Sequence, residues 1–162
     1  MAFFNDYATL QTTIASYLAR NDLTETIPEF IRLAEDRLSR DLRIRQMLQI
    51  ATTTIESTDG TVEIPADFLS MKDIHISSSN PIQTVTFQSP SNFFRNTRAS
   101  TSGLPTFYTA LGSEFRFAPL GSTTDTLQML YYVKPPYMSS TVSSNLWLAN
   151  TPDLLLYAAL GE

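Results

Sequence analysis

The chain of 162 residues contains no cysteine. Disulfides, thiolate metal sites and cysteine nucleophiles are therefore excluded. Histidine occurs once, as His75 between Ile74 and Ile76, where strand alternation turns it away from their face. With one histidine there is no histidine cluster to hold a transition metal, and no Gly-x-Ser-x-Gly elbow accompanies it. The five glycines form no glycine-rich loop between a strand and a helix, so no phosphate cradle is present. Charged residues make up 17%, against a usual share of about 25%. With 16 acidic and 11 basic residues the net charge is −5, a poor basis for gripping phosphates. No run nears the roughly 20 apolar residues of a membrane span, and Met1 to Asp6 lacks the basic and apolar regions of a secretory signal. The expectation is a structural subunit: not an enzyme, with no catalytic residue, no cofactor and no metal.

What is present is packing surface. Asp6 is a candidate N-cap, and Leu10, Ile14, Tyr17 and Leu18 make one apolar face of a helix running to about Arg20, with Asn21-Asp22 as its break. Thr26 and Glu29 have capping-box spacing, with Pro28 in the first turn of a second helix. Phe30, Ile31, Ala34, Leu38 and Leu42 form its stripe; Arg32, Glu35, Asp36 and Arg40 are placed on its other side as a salt-bridged face. The short link predicts an antiparallel helical hairpin.

The period then falls to two. Strands are predicted at Leu48–Glu56 and Thr61–Ile64, joined as a hairpin through Asp59-Gly60, then at Met71–Ser77 and Pro81–Gln88. A short turn of helix is predicted at Phe68–Ser70 and another helix at Ser91–Arg98, with Ser91 as its cap and a loop from Ser100 to Pro105. Thr106–Leu111 and Glu114–Ala118 flank Gly112-Ser113 as a second hairpin, and Thr126–Val133 is the last strand, apolar on both faces. Glu114 and Asp125 read as turn residues. The aromatic pairs Phe93-Phe94 and Tyr131-Tyr132 are expected in a core or subunit interface rather than stacked on bases or sugars. After a polar link, Thr151, Pro152 and Asp153 open a final helix whose Leu154–Leu160 stretch is apolar almost all round and must be covered.

The fold class is therefore α+β: an N-terminal antiparallel helical hairpin and a C-terminal helix forming a bundle, with a β-rich antiparallel sheet or sandwich inserted between. The division expected is a helical hairpin at 1–45, a β-rich portion at 46–138, and a linker and C-terminal helix at 139–162 that packs on the first helices, in one compact unit. Trp147, Leu154, Leu155, Tyr157 and Leu160 are the candidate residues for contact with other subunits.

An ordered set of segments resembles tailed-phage head-to-tail adaptor, or connector, proteins. The segments are Asp6-Tyr7-Ala8-Thr9-Leu10-Gln11, Ile27-Pro28-Glu29-Phe30-Ile31, Ala34-Glu35-Asp36-Arg37-Leu38 and Arg40-Asp41-Leu42-Arg43, followed by Ile64-Pro65-Ala66-Asp67-Phe68-Leu69 and Gly103-Leu104-Pro105-Thr106-Phe107-Tyr108. Tyr131-Tyr132, Asn145-Leu146-Trp147-Leu148 and Thr151-Pro152-Asp153-Leu154-Leu155-Leu156-Tyr157 complete it. The resemblance implies a ring of identical subunits, about twelve in a closed cyclic assembly, located in the virion neck and made in the host cytoplasm. A portal protein would lie on one side and a tail or nozzle protein on the other. Double-stranded DNA would pass through the lumen during genome ejection without sequence-specific binding, and no membrane is involved. It also implies a longer C-terminal helical region contacting the portal, which would begin about where Glu162 stands. The competing readings are a tail-completion or other tail structural subunit and a carbohydrate-binding receptor module.

Overall fold

The computed structural model describes residues 5–19, 22–56, 58–96, 102–122 and 124–162. Arg20, Asn21, Thr97, Arg98, Ser100 and Thr101, which bear on the ends of the first helix, of the Ser91–Arg98 helix and of the following loop, lie outside the described residues, as do Met1 to Phe4. The described residues form a mixed α+β fold with five helices and two four-stranded, mostly antiparallel sheets. They fall into two units, 1–47 with 134–162, and 48–133.

The first unit is helical. Helix α1 (Tyr7–Leu18) starts where expected: Asp6 accepts from Thr9 N at 2.8 Å while its own N–H donates to Thr9 Oγ1. Leu10 and Ile14 are buried, whereas Tyr17 points outward. Helix α2 (Ile27–Asp41) starts where Thr26 and Pro28 place it, but no capping box forms. Thr26 is already helical in φ and ψ, and its hydroxyl donates backward to Leu23 O. The end of α2 is closed by Arg43, whose guanidinium donates to the carbonyls of Ser39, Arg40 and Leu42. A single 3-10 turn, Arg45–Met47, ends this part of the chain.

The chain returns to the unit at Lys134. Helix α4 (Leu146–Asn150) is a short helix that periodicity did not indicate, and α5 (Pro152–Leu160) follows after Thr151 alone. Thr151 is not a side-chain cap; its N–H and hydroxyl both go back to Trp147 O, coupling the two helices. Helix α5 packs against α2 and α1 and buries Leu155, Leu156 and Ala159.

The second unit is a two-sheet sandwich. One sheet has the order β1 (Leu48–Thr54), β8 (Thr126–Val133), β3 (Phe68–Ile76), β4 (Gln83–Thr84). The other has the order β2 (Thr61–Glu63), β7 (Glu114–Ala118), β6 (Phe107–Leu111), β5 (Thr86–Phe87). All of their pairings are antiparallel except β5 with β6. Helix α3 (Pro90–Asn96) packs on β6 and buries Phe93. Ile74, Ile76, Leu127, Met129 and Tyr131 from one sheet meet Val62, Tyr108, Phe115 and Phe117 from the other in a single apolar core.

Three expectations are corrected here. First, Asp59-Gly60 makes a turn but not a two-strand ladder: β1 pairs with β8 and β2 with β7, so the chain changes sheets. Ile55, 1% exposed, sits in the core at that crossing. Second, 81–88 is not one strand. It splits at the buried Val85 into β4 on one sheet and β5 on the other. Third, Phe68–Ser70 begins strand β3 rather than a helical turn, because extended backbone lets Phe68 pack edge-on to Phe115 at 5.4 Å and stack on Tyr131 at 5.6 Å. The β6–β7 hairpin, with Leu111 opposite Glu114, and strand β8 stand where the alternation put them.

Candidate functional site

The densest polar cluster lies on one side of α2. Glu35 is 3% exposed, not on a solvated face. Its Oε1 accepts from Met138 N at 3.2 Å and from Asn145 Nδ2 at 2.5 Å. Asn145 uses its whole amide: Nδ2 also donates to Pro136 O at 3.0 Å, and Oδ1 caps α4 by accepting from Trp147 N and Leu148 N. Burial pushes the Glu35 carboxyl up to about 7, against the opposing pull of the Met138 and Asn145 donors. The spacing Ile31, Ala34, Glu35, Leu38 already placed this carboxyl on the apolar stripe. Its charge disguised the position.

One residue along, Asp36 Oδ1 accepts from Lys134 Nζ at 2.7 Å and from Tyr137 OH at 2.5 Å, and Lys134 also bonds the Tyr137 hydroxyl. The Arg32 guanidinium lies over the Tyr137 ring, 4.7 Å from its centroid. The Lys134 and Tyr137 hydrogen bonds hold Asp36 below the usual carboxylate range, and the Asp36 bond raises Lys134. Together these contacts fasten the segment from Lys134 to Asn145 along α2. They are holding interactions: both carboxylates are satisfied by donors from the returning segment.

The five candidate contact residues divide by position. Trp147 and Leu155 are buried inside the helical unit, at 1% and 0% exposure, each worth about 1.5–3 kcal/mol of burial or more. Leu160 is half-buried. Leu154 and Tyr157 project from α5 at 39% and 65% exposure, three residues apart and thus on one side of the helix. Tyr17 on α1 and Leu33 on α2 are also exposed.

In the sandwich, His75 contacts its cross-strand partner, with Nε2 3.1 Å from Gln128 Oε1. Phe93 is buried and Phe94 exposed; Tyr131 is buried and donates its hydroxyl to Asp67. Asp125 closes a turn by accepting from Ser122 N. A groove of about 500 Å³ opens between β1 and β2. Glu56, Glu63 and Glu114 line it together with threonines, and Glu114 stands at the start of β7 beside the Gly112-Ser113 turn. Among the described residues, no three His, Cys, Asp or Glu side chains converge to hold a metal, and no helix is long and apolar enough to cross a membrane.

Comparison with protein families matches residues 5–162 to the SU10 adaptor protein family. No individual curated protein matches the chain. With nearly its whole length covered, the chain belongs to this phage head-to-tail adaptor family and is a virion structural protein.

Proposed function

We propose that the chain is the repeating subunit of a ring of about twelve copies in closed cyclic symmetry, seated in the virion neck between the portal and the tail or nozzle. Helices α1, α2 and α5 act as a bundle that meets neighbouring subunits and the portal, and the sandwich faces the tail. Double-stranded DNA passes through the lumen during ejection, held off by a chain whose net charge is −5.

The observation carrying this reading is the pair Leu154 and Tyr157. Large apolar side chains exposed at one helical spacing, on a helix whose opposite side buries Leu155, Leu156 and Ala159, are surface awaiting a partner. Leu154→Asp with Tyr157→Asp should leave the helical circular dichroism intact and abolish incorporation beside purified portal rings. Electron microscopy of the wild-type assembly should show a closed ring touching the portal. Wild-type protein that remains monomeric with portal rings present, or a ring seated on the tail away from the portal, sinks this assignment.

A further inference from the structure

Strands β1 and β2 are each at the end of their sheet, β1 beside β8 and β2 beside β7, so each has an outer side with no ladder partner among the described residues. The groove of about 500 Å³ runs between these two edges. Three carboxylates, Glu56, Glu63 and Glu114, line it beside threonines and a few apolar side chains such as Val62 and Met129, and no basic residue lines it. Glu63 and Glu114 are register partners on β2 and β7. Like charges placed directly opposite destabilise a sheet. None of the three carboxylates has a basic partner among the described residues. A cation seated here would relieve that repulsion, and carboxylates set side by side suit the five-donor guanidinium fork.

The same chain carries a surface of opposite character. Arg37, Arg40, Arg43 and Arg45 fall within nine consecutive positions and are four of the 11 basic residues. Arg43 is engaged with helix carbonyls and Arg37 with Glu162 at 3.2 Å. Arg40 is 73% exposed, with only a 3.8 Å approach to its neighbour Asp41, and Arg45 is exposed on the following turn. We propose that the groove between β1 and β2 receives the Arg40–Arg45 stretch of a second copy of this chain. Two different, complementary patches on one chain are what a head-to-tail contact needs, and such contacts close into rings. In a chain of net charge −5 most copy-to-copy approaches are repulsive, so this pairing also selects the orientation. The inference rests on the ring reading and names the contact within it.

The test uses charge exchange in the full chain, with assembly beside purified portal rings measured by sedimentation. Glu63→Lys with Glu114→Lys, and separately Arg40→Glu with Arg45→Glu, should each weaken assembly about tenfold, the scale expected for a few partly hydrated ion pairs. The chain carrying all four changes should assemble again, and wild-type assembly should weaken as salt rises. Circular dichroism shows whether each variant is folded. Folded reversal variants that assemble like wild type overturn the contact and leave the ring reading standing. A wild-type chain that never joins the portal overturns the ring reading and the contact with it.

Discussion

Asn145 donates from Nδ2 to Glu35 Oε1 at 2.5 Å across a sequence separation of 110 residues. The same side chain caps α4 through its Oδ1. One residue thus satisfies a buried carboxyl and starts the helix that carries Trp147.

Removing that side chain breaks both roles. Asn145→Ala should cost about 2–4 kcal/mol, combining a lost N-cap with a buried acceptor stripped of a donor. Asn145→Asp should be no rescue, because its carboxylate keeps the cap and confronts Glu35. Urea midpoints of the two variants check this; an alanine variant as stable as wild type contradicts it.

Glu35 makes stability pH-dependent. Its folded value of about 7 lies above the 4.5 of the free carboxyl, so between those values the folded chain holds the extra proton. Stability therefore falls as pH rises from about 4.5 to 7 and levels off above, by at most about 3 kcal/mol. Asp36 is shifted the other way, and its contribution is lost only as pH drops below the ordinary range around 3.8, outside this window. Glu35→Gln should flatten the slope between pH 5 and 8. Parallel wild-type and variant curves would refute the assignment.

The Asp36–Lys134 pair is half-exposed, at 41% and 34%, so it should matter less than its 2.7 Å distance implies. Lys134→Met should cost about 1 kcal/mol or less and should lose its effect in high salt. Tyr137→Phe removes the second donor to Asp36 and should show a similar small loss. A Lys134→Met loss that persists undiminished in molar salt would mean that packing, not charge, holds the segment.

Gly60 and Gly112 give a paired test in the sandwich. Both have positive φ, +65° and +60°. A Cβ at Gly60 would stand 2.7 Å from Leu120 Cδ2 and 3.0 Å from Phe117 O, whereas at Gly112 nothing lies within 4 Å. Gly112→Ala should cost only the backbone term, about 1 kcal/mol, and Gly60→Ala clearly more, about 2–4 kcal/mol. Equal losses would show that the Leu120 contact relaxes freely.

Local periodicity made much of the fold legible. Helices α1, α2 and α5, the β6–β7 hairpin and strand β8 all lie where apolar spacing placed them, because that spacing is set by each segment alone. Sheet membership was not legible. Ile55 and Val85 look like ordinary strand residues, and only their burial at the crossings between sheets assigns the flanking strands. Helix α4 is too short to show a period, and its cap Asn145 sits in a polar stretch. The contact surface was half legible. A helix apolar on every side announces that it is covered but gives no phase, so Leu154 and Leu155 looked alike in sequence while one faces out and the other in. The burial of Glu35 was not legible because its charge argues for solvent while its place on the stripe argues for the core.

The register of β1 with β8 sets Leu48 opposite Tyr132. The 86 residues from Leu48 to Val133 therefore begin and end side by side on adjacent strands. A segment with adjoining ends is a cassette: it can be lengthened, trimmed or exchanged without altering the span that its host must bridge. The helical unit needs only a short loop between Met47 and Lys134 to close on itself.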